Sequence, residues 1–540
     1  MVKDWPDLPN SNFFLRIFLQ LYQTRVLYSW SKDSLLREGA MKPLAWTSAL
    51  LLFLLLFFMA IYNLDTYPPT WFDEGVHLLV AKKLALDGKY RFGPAVGPTV
   101  FYPVALAFRA GGVGLLPARA VMVGYLLLCA AVFYALTRHM AGWKAATVGA
   151  LLLMVSPGVN LLGWGRQVIG EVPAALFFLA GTLAWFKTLE ETHPRCRGGK
   201  LILAGIFLGL AIITKNQFLL WLPAWCLLWV LDRLYYRQLG HTDFALPLAG
   251  AMACVAAWYL GQRFFLSAGS ELAAANVKEW SNAVNRGMFT LSPQRMMDAV
   301  KFLTSQDTFY AWALPAALYA ALLSLRRSRE GVRWAWLTLT TFAWLGWFVV
   351  VSVGWPRYAF LALIIATLSA AKLFHDLTAG YRIPVRALGE KIRSGRWDAL
   401  LATRVALMAL LLILALRPLQ GRLTEIVGGK ERMPQQMAAY IINHVPQGTQ
   451  IETYEPEVCF LAGYPCHIPP SEVMDASIRY VWYGDPPPSE YYHLQELNAP
   501  YLLIGDFGRL VHAYDPDVVQ RDYELQTTVG SYELYRAKAR

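Results

Sequence analysis

The sequence predicts an all-α polytopic membrane bundle of about eleven transmembrane helices, followed by a small C-terminal α/β extracytoplasmic domain. Of its 540 residues, 56% are hydrophobic and 16% are charged, whereas soluble proteins average about 45–50% and about 25%. The charge is also unevenly divided, because residues 418–540 carry a net −7 and residues 1–417 a net +19. This composition excludes a disordered chain, a coiled coil and an ordinary cytosolic enzyme. It indicates a basic membrane domain with an acidic soluble tail.

The first 43 residues precede any apolar run long enough to cross a membrane. Residues 12–30 mix aromatic side chains with Arg and Gln, which is typical of an amphipathic helix at the membrane interface. The first long apolar run begins only at Leu44 and no A-x-A-like cleavage site follows it, so the start does not resemble a secretory signal peptide. We expect residues 1–43 to form a cytoplasmic or interfacial segment.

Residues 44–417 contain eleven apolar segments, and we interpret this region as the membrane domain. A membrane-spanning helix needs about 20 mostly apolar residues. The segments are 44–63, 118–137, 144–162, 170–187, 201–214, 217–231, 244–266, 307–325, 333–353, 356–376 and 400–417. The fifth and sixth segments lie so close together that we expect them to be short or kinked.

The Lys and Arg residues of the loops predict the orientation of the bundle. They cluster before the first span and again within 187–200, 326–333 and 382–396. With eleven spans, all of these loops fall on one side. Because cytoplasmic loops carry an excess of Lys and Arg, we expect a cytoplasmic N-terminus and an extracytoplasmic tail. In a bacterium the protein would lie in the inner membrane.

Two loops on the outer side are long. Residues 64–117 and 267–306 are too polar to span a membrane and too long for simple turns. Loops that a rigid scaffold holds on one face frequently carry function. We therefore expect the functional site on this face.

Residues 418–540 show the local patterns of a small α/β domain. The predicted elements are a helix at 433–444, strands at 449–454 and 499–505, and a hairpin at 523–535 with a Gly-Ser turn. The segment is long enough for a core of its own. Cys459 and Cys466 lie seven residues apart, and in an oxidising compartment they would form either a disulfide or two buried free thiols.

Asp73 and Glu74 form an acidic pair shortly after the first span, within the sequence Thr70-Trp-Phe-Asp-Glu-Gly-Val-His77. Adjacent carboxylates near a membrane surface suit proton abstraction or cation binding. A simpler interpretation fits the same spacing, because Thr70 and Asp73 match a capping box that would open a helix over 71–87.

Arg166 and Glu171 lie at the outer end of a later span. An ionisable residue at the edge of a membrane helix indicates a candidate functional site. Alternatively, Glu171 stabilises the N-terminus of the following helix through the helix dipole, and Pro173 supports a helix start at this point.

Lys215 lies between two short spans and Arg357 opens another, both on the outer side. Each is either an interface anchor whose charge reaches the lipid headgroups or a phosphate ligand. Anchors alone do not explain why acidic residues map to the same face. The converging set is Asp73, Glu74, Arg166, Glu171, Lys215 and Arg357.

These motifs resemble the glycosyltransferase clan C enzymes, and more narrowly the protein O-mannosyltransferase and aminoarabinose transferase superfamily. The resemblance covers roughly residues 44–376. The matching segments occur in the expected order and are Trp71–Tyr90, Gly165–Ala175, Gly209–Lys215 and Arg357-Tyr358. One departure is the first loop, where the family usually carries a Lys-Pro-Pro-like stretch and this chain has Gly97-Pro-Thr-Val-Phe-Tyr102-Pro.

The resemblance implies transfer of one sugar from a polyprenyl-phosphate donor to an acceptor hydroxyl, with inversion at the anomeric carbon. Asp73, together with Glu74, would accept the proton of the attacking hydroxyl. Lys215 and Arg357 would stabilise the departing lipid phosphate. The residues expected to position the acceptor or the sugar are Glu171, Arg166, His77 and Tyr102.

The sequence contains no Gly-rich phosphate loop and no His/Cys cluster with zinc spacing. The cofactor that stays open is a divalent cation held by the carboxylates. The expected partners are membrane lipids, the lipid-linked donor and an acceptor that is a protein, a lipid or a glycan, with no nucleic acid.

Two other classes of function compete with this interpretation. A transporter or flippase would also place charges in the membrane, but such proteins often show internal repeats, and none is visible here. A non-catalytic anchor with a recruiting tail leaves the acidic pair unexplained.

Overall fold

The computed structural model describes most of the chain. The described residues are 38–90, 96–191, 194–261, 278, 291–305, 310–382, 389, 393, 399–429, 432–490, 492–497 and 499–539. The amphipathic helix predicted at 12–30 and most of the predicted loop at 267–306 lie outside them.

Fifteen helices precede the tail in the described residues. They are α1 Glu38–Ile61, α2 Phe72–Asp87, α3 Pro98–Gly111, α4 Leu115–Ala141, α5 Trp143–Val155, α6 Leu161–Arg166, α7 Glu171–Leu189, α8 Pro194–Thr214, α9 Trp221–Leu231, α10 His241–Gly261, α11 Pro293–Thr304, α12 Tyr310–Ser324, α13 Arg329–Val350, α14 Phe360–Leu377 and α15 Ala399–Gly428. All of them except α2, α3, α6 and α11 coincide with the eleven predicted apolar segments. Short 3-10 turns, Asn216–Leu220 and Pro356–Ala359, precede α9 and α14.

Eight helical segments in the described part of the chain are long and apolar enough to cross a membrane, judged by length and composition. The helices α5 and α12 supply shorter apolar segments. The segment that includes α14 is 83% buried over its apolar stretch and that of α7 is 72% buried, whereas α1 and α15 are 17% buried. The helices α7 and α14 therefore form the centre of the bundle, and α1 and α15 lie at its periphery. The chain is an integral membrane protein.

The last helix of the bundle passes residue 417, where the last predicted span ends. Helix α15 continues through Pro418 to Gly428. Its last turns carry polar residues that contact the end of α1 and the loop after it, since Arg422 Nη1 lies 3.3 Å from the Tyr67 hydroxyl and Asn63 Nδ2 donates to Ile426 O at 2.8 Å. These contacts fix the helix where it leaves the bundle.

The loop that follows α1 folds into α2 and α3, and α2 begins where the sequence predicted a helix. The capping box is not observed. The N-cap residue is Trp71, which makes no side-chain cap, and the Thr70 hydroxyl instead accepts a hydrogen bond from Arg119 Nη2 at 3.3 Å. The carboxylate of Asp73 is therefore not used to start its own helix.

The tail contains a mixed five-stranded sheet. Its elements are α16 Met433–His444, β1 Ile451–Thr453, α17 Pro456–Ala462, β2 Cys466–His467, α18 Ser471–Tyr483, β3 Tyr501–Ile504, α19 Asp506–Leu510, α20 Pro516–Asp522, β4 Tyr523–Val529 and β5 Tyr532–Ala537. The strand order is β2-β1-β3-β5-β4. The pair β1–β2 and the pair β1–β3 are parallel, and β5 is antiparallel to both β3 and β4. The predicted helix, both strands and the hairpin are confirmed, and so is the fold class.

A disulfide links two elements of the tail, and helix α2 packs against the tail from outside. Cys459 of α17 and Cys466 of β2 form the disulfide, with Cα atoms 6.1 Å apart. The ring of Phe72 in α2 stacks on Phe507 with centroids 3.7 Å apart and belongs to the hydrophobic core of the tail. A Cβ atom on Gly75 would lie 2.2 Å from the Glu457 backbone nitrogen. Helix α2 therefore lies in direct contact with both the bundle and the tail.

Candidate active site

Four charged side chains meet on the side of the bundle that faces the tail. Arg357 Nη1 donates to Asp73 Oδ2, and Lys215 Nζ donates to Glu171 Oε1. The two ion pairs are adjacent, because Arg357 Nε lies 3.8 Å from Glu171 Oε1. Asp73, Glu171, Lys215 and Arg357, here called the charge cluster, hold two negative and two positive groups.

Each member of the charge cluster lies at the end of a helix. Asp73 is in the first turn of α2 and Glu171 is the first residue of α7. Lys215 occupies the break between α8 and the 3-10 turn before α9, and Arg357 is in the 3-10 turn before α14. Helix ends bring polar side chains out of the apolar layer, and the two N-termini also favour the negative charge of the carboxylates.

Three aromatic rings surround the Arg357 guanidinium. Its carbon lies 5.2 Å from the ring centroid of Trp71, 4.5 Å from Trp355 and 5.6 Å from Tyr358. Cation–π contacts of this kind offset part of the cost of removing a guanidinium from water. The Trp355 ring also meets Trp482 of α18 edge-on at 5.5 Å, so the tail lies against this side of the site.

The two carboxylates of the charge cluster differ in accessibility. The side chain of Asp73 is 22% exposed, whereas that of Glu171 is 2% exposed. Burial alone would raise the pKa of Asp73, but the nearby positive charges, chiefly Arg357, outweigh burial and hold it below its usual value. Glu171 Oε2 is buried and has no hydrogen-bond partner among the described residues. Asp73 is thus ionised and reachable, while Glu171 offers one buried acceptor.

Glu74 faces away from the charge cluster. Both of its oxygens bind the buried Arg119 guanidinium, at 2.9 Å to Nε and 2.6 Å to Nη2, and neither side chain is exposed. Successive residues of a helix point about 100° apart, given 3.6 residues per turn. When Asp73 faces the cluster, Glu74 must therefore face the bundle interior, which differs from the expected catalytic pair.

His77 and Glu74 together hold the segment that leads to Glu171. The Val168 N–H donates to Glu74 Oε1 at 3.2 Å, and His77 Nδ1 lies 2.6 Å from Val168 O. Because Glu74 and His77 are three residues apart on α2, they reach the same stretch of backbone. His77 was expected to position the acceptor, but in the structure it contacts backbone.

Arg166 and Tyr102 also have contacts other than those expected. Arg166 donates to Met59 O at 2.8 Å and to Tyr62 O at 2.6 Å, which satisfies carbonyls at the C-terminal end of α1. The ring of Tyr102 stacks on Tyr90 with centroids 5.8 Å apart and contacts Trp258 edge-on. The structure therefore brings four of the predicted site residues together and places Glu74, Arg166 and Tyr102 elsewhere. His77 contacts Val168 O but also lies close enough to Asp73 to help lower the pKa of that carboxyl.

Sequence reasoning missed Arg119 and the aromatic rings beside Arg357. Arg119 is a buried Arg near the start of the apolar helix α4, and an ionisable residue in a membrane helix is a signal that identifies it. Trp71 and Trp355 carry no comparable signal, because the chain contains 20 Trp residues and most of them have other packing roles.

The residues of the charge cluster do not fit a divalent cation. The described residues contain no group of three or more His, Cys, Asp or Glu side chains that could hold a metal ion. Asp73 and Glu171 are already paired with Arg357 and Lys215, and these two positive charges would repel a metal ion placed between the carboxylates.

The fold is that of the GT-C glycosyltransferases. ArnT from Cupriavidus metallidurans, solved with undecaprenyl phosphate, is similar over 93% of this chain and 99% of its own, with 14% identity and a TM-score of 0.59. The archaeal oligosaccharyltransferase AglB from Archaeoglobus fulgidus, solved with an inhibitory peptide and a dolichol-phosphate, is similar over 91% of this chain and 74% of its own, with 13% identity and a TM-score of 0.56. No protein-family model and no curated protein matches the chain. At these identities the likeness establishes the fold.

Proposed function

We propose that the protein is a glycosyltransferase that moves one sugar from a polyprenyl-phosphate donor to an acceptor hydroxyl on the extracytoplasmic face, with inversion. The observation that carries this proposal is the charge cluster, in which an accessible carboxylate adjoins two cations from distant parts of the chain. ArnT was solved with undecaprenyl phosphate bound and AglB with a dolichol-phosphate bound, which supports a lipid-phosphate donor here.

Asp73 is the proposed catalytic base. It is the more exposed of the two cluster carboxylates, so an acceptor hydroxyl can reach it. As the acceptor oxygen forms its bond to the anomeric carbon, its proton passes to Asp73. The bond between the anomeric carbon and the phosphate oxygen breaks, and the lipid phosphate leaves with the electron pair. A phosphate needs no proton to leave, so positive charge beside it is sufficient.

Arg357 and Lys215 are the proposed phosphate ligands. Both are engaged by carboxylates, so phosphate oxygens would compete with Asp73 and Glu171 for the same N–H groups. As Arg357 turns toward the phosphate, Asp73 loses its nearest positive charge and its pKa rises toward the usual value. Donor binding would therefore make Asp73 a better base.

Four of the five remaining predicted site residues are assigned positioning roles in this proposal. Glu74 and His77 hold the backbone of Val168, and Arg166 ties this segment to the end of α1. Glu171, whose Oε2 is unpaired among the described residues, is placed to accept a hydrogen bond from a sugar hydroxyl. No step of the proposal uses a metal ion.

The proposal is tested by supplying the purified protein, in lipid nanodiscs, with a panel of polyprenyl-phosphate sugars and a membrane extract as acceptor. We expect at least one donor to release polyprenyl phosphate, detected by mass spectrometry, together with a glycosylated product. If every donor stays intact, or if an intact donor merely changes leaflet in vesicles, the protein is not a transferase and the transporter class is favoured.

A further inference from the structure

A cavity of about 420 Å³ adjoins the charge cluster and has no role in the steps described above. It lies between the first outer loop, α6 and the last turns of α15. Its volume falls in the range of small-molecule sites, about 300–1,000 Å³. Trp71 lines the cavity and also stacks on the Arg357 guanidinium, so a single side chain touches both the cavity and the charge cluster.

Aromatic rings form part of the cavity wall. Tyr67, Trp71 and Trp164 line it together with polar side chains. The Tyr67 and Gln167 residues are buried. Gln167 Nε2 donates to Pro69 O at 3.0 Å, and this bond holds two segments of the cavity wall together. Broad aromatic faces beside a few fixed polar groups suit a ligand that has both C–H faces and hydroxyls.

Asn160 lines this cavity from the start of α6. Its backbone is left-handed, with φ of 51°, and its amide lies against Gly163, where a Cβ atom would come within 2.5 Å of Nδ2. Its Oδ1 is buried and has no hydrogen-bond partner among the described residues. The amide is therefore packed into the cavity wall, and the polar groups open to a ligand are those of the opposite wall.

The charges at the other wall disfavour an anion. Arg422 Nη1 binds Glu425 Oε2 at 3.2 Å, and the Tyr67 hydroxyl donates to the same oxygen at 2.6 Å. The Arg422 charge is therefore balanced, and the Glu425 carboxylate would repel a phosphate. A neutral ligand can instead bind both the guanidinium and the carboxylate through hydroxyl groups.

We propose that this cavity is the binding site for a neutral carbohydrate unit of the acceptor. The proposal deepens the proposed function and rests on it, since it names the class of acceptor that the same site takes. The carbohydrate unit lies against Trp71 and Trp164 and forms hydrogen bonds with Arg422 and Glu425. Because Trp71 also contacts Arg357, an acceptor held here lies next to the residues that we assign to the donor.

The test measures the binding of neutral methyl glycosides to the full-length protein by saturation-transfer NMR. The variants are Trp164→Ala, which removes an aromatic face, and Glu425→Gln, which keeps the size and removes the charge. Trp46→Ala is the matched control, because Trp46 is 69% exposed on α1 and is not part of the cavity wall. We expect at least one glycoside to bind the wild type and the control, and to bind both cavity variants at least fivefold more weakly.

The same samples are tested for thermal stabilisation by polyprenyl phosphate, which keeps the two proposals distinguishable. If polyprenyl phosphate does not stabilise the wild type, the proposed donor site is wrong. If it stabilises the wild type while no glycoside binds, or while both cavity variants bind glycosides as the wild type does, the acceptor site alone is overturned. Loss of polyprenyl-phosphate stabilisation in both cavity variants would also overturn it, because the cavity would then belong to the lipid. Glu425 is partly exposed, so Glu425→Gln gives a second variant if Trp164→Ala does not fold.

Discussion

Two neighbouring carboxylates, Asp73 and Glu74, take opposite positions in this protein. Asp73 is partly exposed and pairs with Arg357, and Glu74 is fully buried and pairs with Arg119. Both pairs are ionic, but only the first lies where a substrate can compete for its members. A chemical role for Asp73 and a positioning role for Glu74 follow from this difference.

Replacing Asp73 by Asn is expected to abolish transfer without unfolding the protein. Asparagine keeps the size of the side chain but cannot accept the proton, and a general base typically contributes about 10²–10⁴ to the rate. Initial rates and thermal melts of the purified variant check this. The exposed Asp65, converted to Asn, is the control and should keep its activity. Near-normal turnover by a folded Asp73→Asn protein would remove the base assignment.

Replacing Arg357 by Gln is expected to shift the pH dependence of transfer. The positive charge of Arg357 is the main factor that lowers the pKa of Asp73 against the opposing effect of burial. Without it the pKa rises, so the acidic limb of the plot of kcat/KM against pH moves to higher pH. We also expect the rate to fall by about a hundredfold or more, since a charge at the leaving phosphate is lost.

Arg357→Lys should lie between the wild type and Arg357→Gln, because it keeps the charge and loses the planar fork. Arg326→Gln, which changes an exposed Arg, serves as the control. An acidic limb that stays in place in Arg357→Gln would show that Arg357 does not set the protonation of Asp73.

Among the elements, α2 links the catalytic residue to the rest of the molecule. One side of the helix binds Arg119 and the Val168 backbone, and Phe72 at its start stacks on Phe507 of the tail. A shift of the tail relative to the bundle would therefore move Asp73. The position of the tail is coupled to the geometry of the site.

Gly75→Ala is expected to displace the tail and to lower transfer. The added Cβ would lie 2.2 Å from the Glu457 nitrogen and 2.6 Å from its Cα, and overpacking of this kind costs about 1–3 kcal/mol. The expected readouts are a lower melting temperature and faster proteolysis between α15 and α16. Gly124→Ala in α4 is the matched control, since no atom lies within 4 Å of the added Cβ. Equal behaviour of the two variants would mean that the contact between α2 and α17 is not tight.

Two buried glutamates in the segment from β1 to α17, Glu455 and Glu457, are expected to make the tail more stable at acidic pH. Burial raises the pKa of Glu455 to about 7, although the Gly505 and Gly508 amides oppose this by donating to its Oε1. Burial also raises the pKa of Glu457. In the unfolded chain a Glu loses its proton near pH 4.5, so between that value and about 7 the folded state binds more protons. The stability that Glu455 contributes is therefore fully present below pH 4.5 and is lost as the pH rises through about 7.

The check for this pH dependence is the melting temperature of the tail between pH 5 and pH 8. We expect it to fall by at least about 4 °C in the wild type and by less in Glu455→Gln, which removes the contribution of Glu455 and leaves that of Glu457. Parallel curves for the two proteins would contradict the raised pKa.

For the whole molecule, the tail covers the side of the bundle on which the charge cluster lies. The edge-on contact of Trp482 with Trp355 and the bond from Arg295 to Val481 O at 2.7 Å connect α18 to parts of the membrane domain. The tail has two hydrophobic cores of its own, and its described residues contribute none of the four cluster side chains.

Residues 430–540, expressed alone, are expected to fold and to lack transfer activity. The sheet, its cores and the disulfide lie within this fragment, although Phe72 no longer covers Phe507. The check is a cooperative thermal melt together with the donor assay. A fragment without a cooperative melt would place the domain boundary elsewhere, and activity in the fragment would move the catalytic site to the tail.

The sequence by itself determined the helices of the bundle, the small α/β fold at the C-terminal end, and the hairpin at 523–535. The physical reason is that these features depend on local properties, namely the length of an apolar run, the period of its side chains and the backbone freedom of a turn glycine. The sequence also identified the four residues of the charge cluster, because acidic and basic side chains from separate segments map to the same face of the bundle.

Only the tertiary structure decided which partners these residues have. The ion pair of Asp73 and Arg357 joins positions 284 residues apart. The rotation of α2 about its axis turns Asp73 toward Arg357 and Glu74 toward Arg119. Trp71 lines the cavity and also contacts the charge cluster, and this arrangement is likewise set by the packing of distant helices. Helix formation follows from short-range sequence, whereas the pairing of buried charges depends on how complete helices rotate and pack against one another.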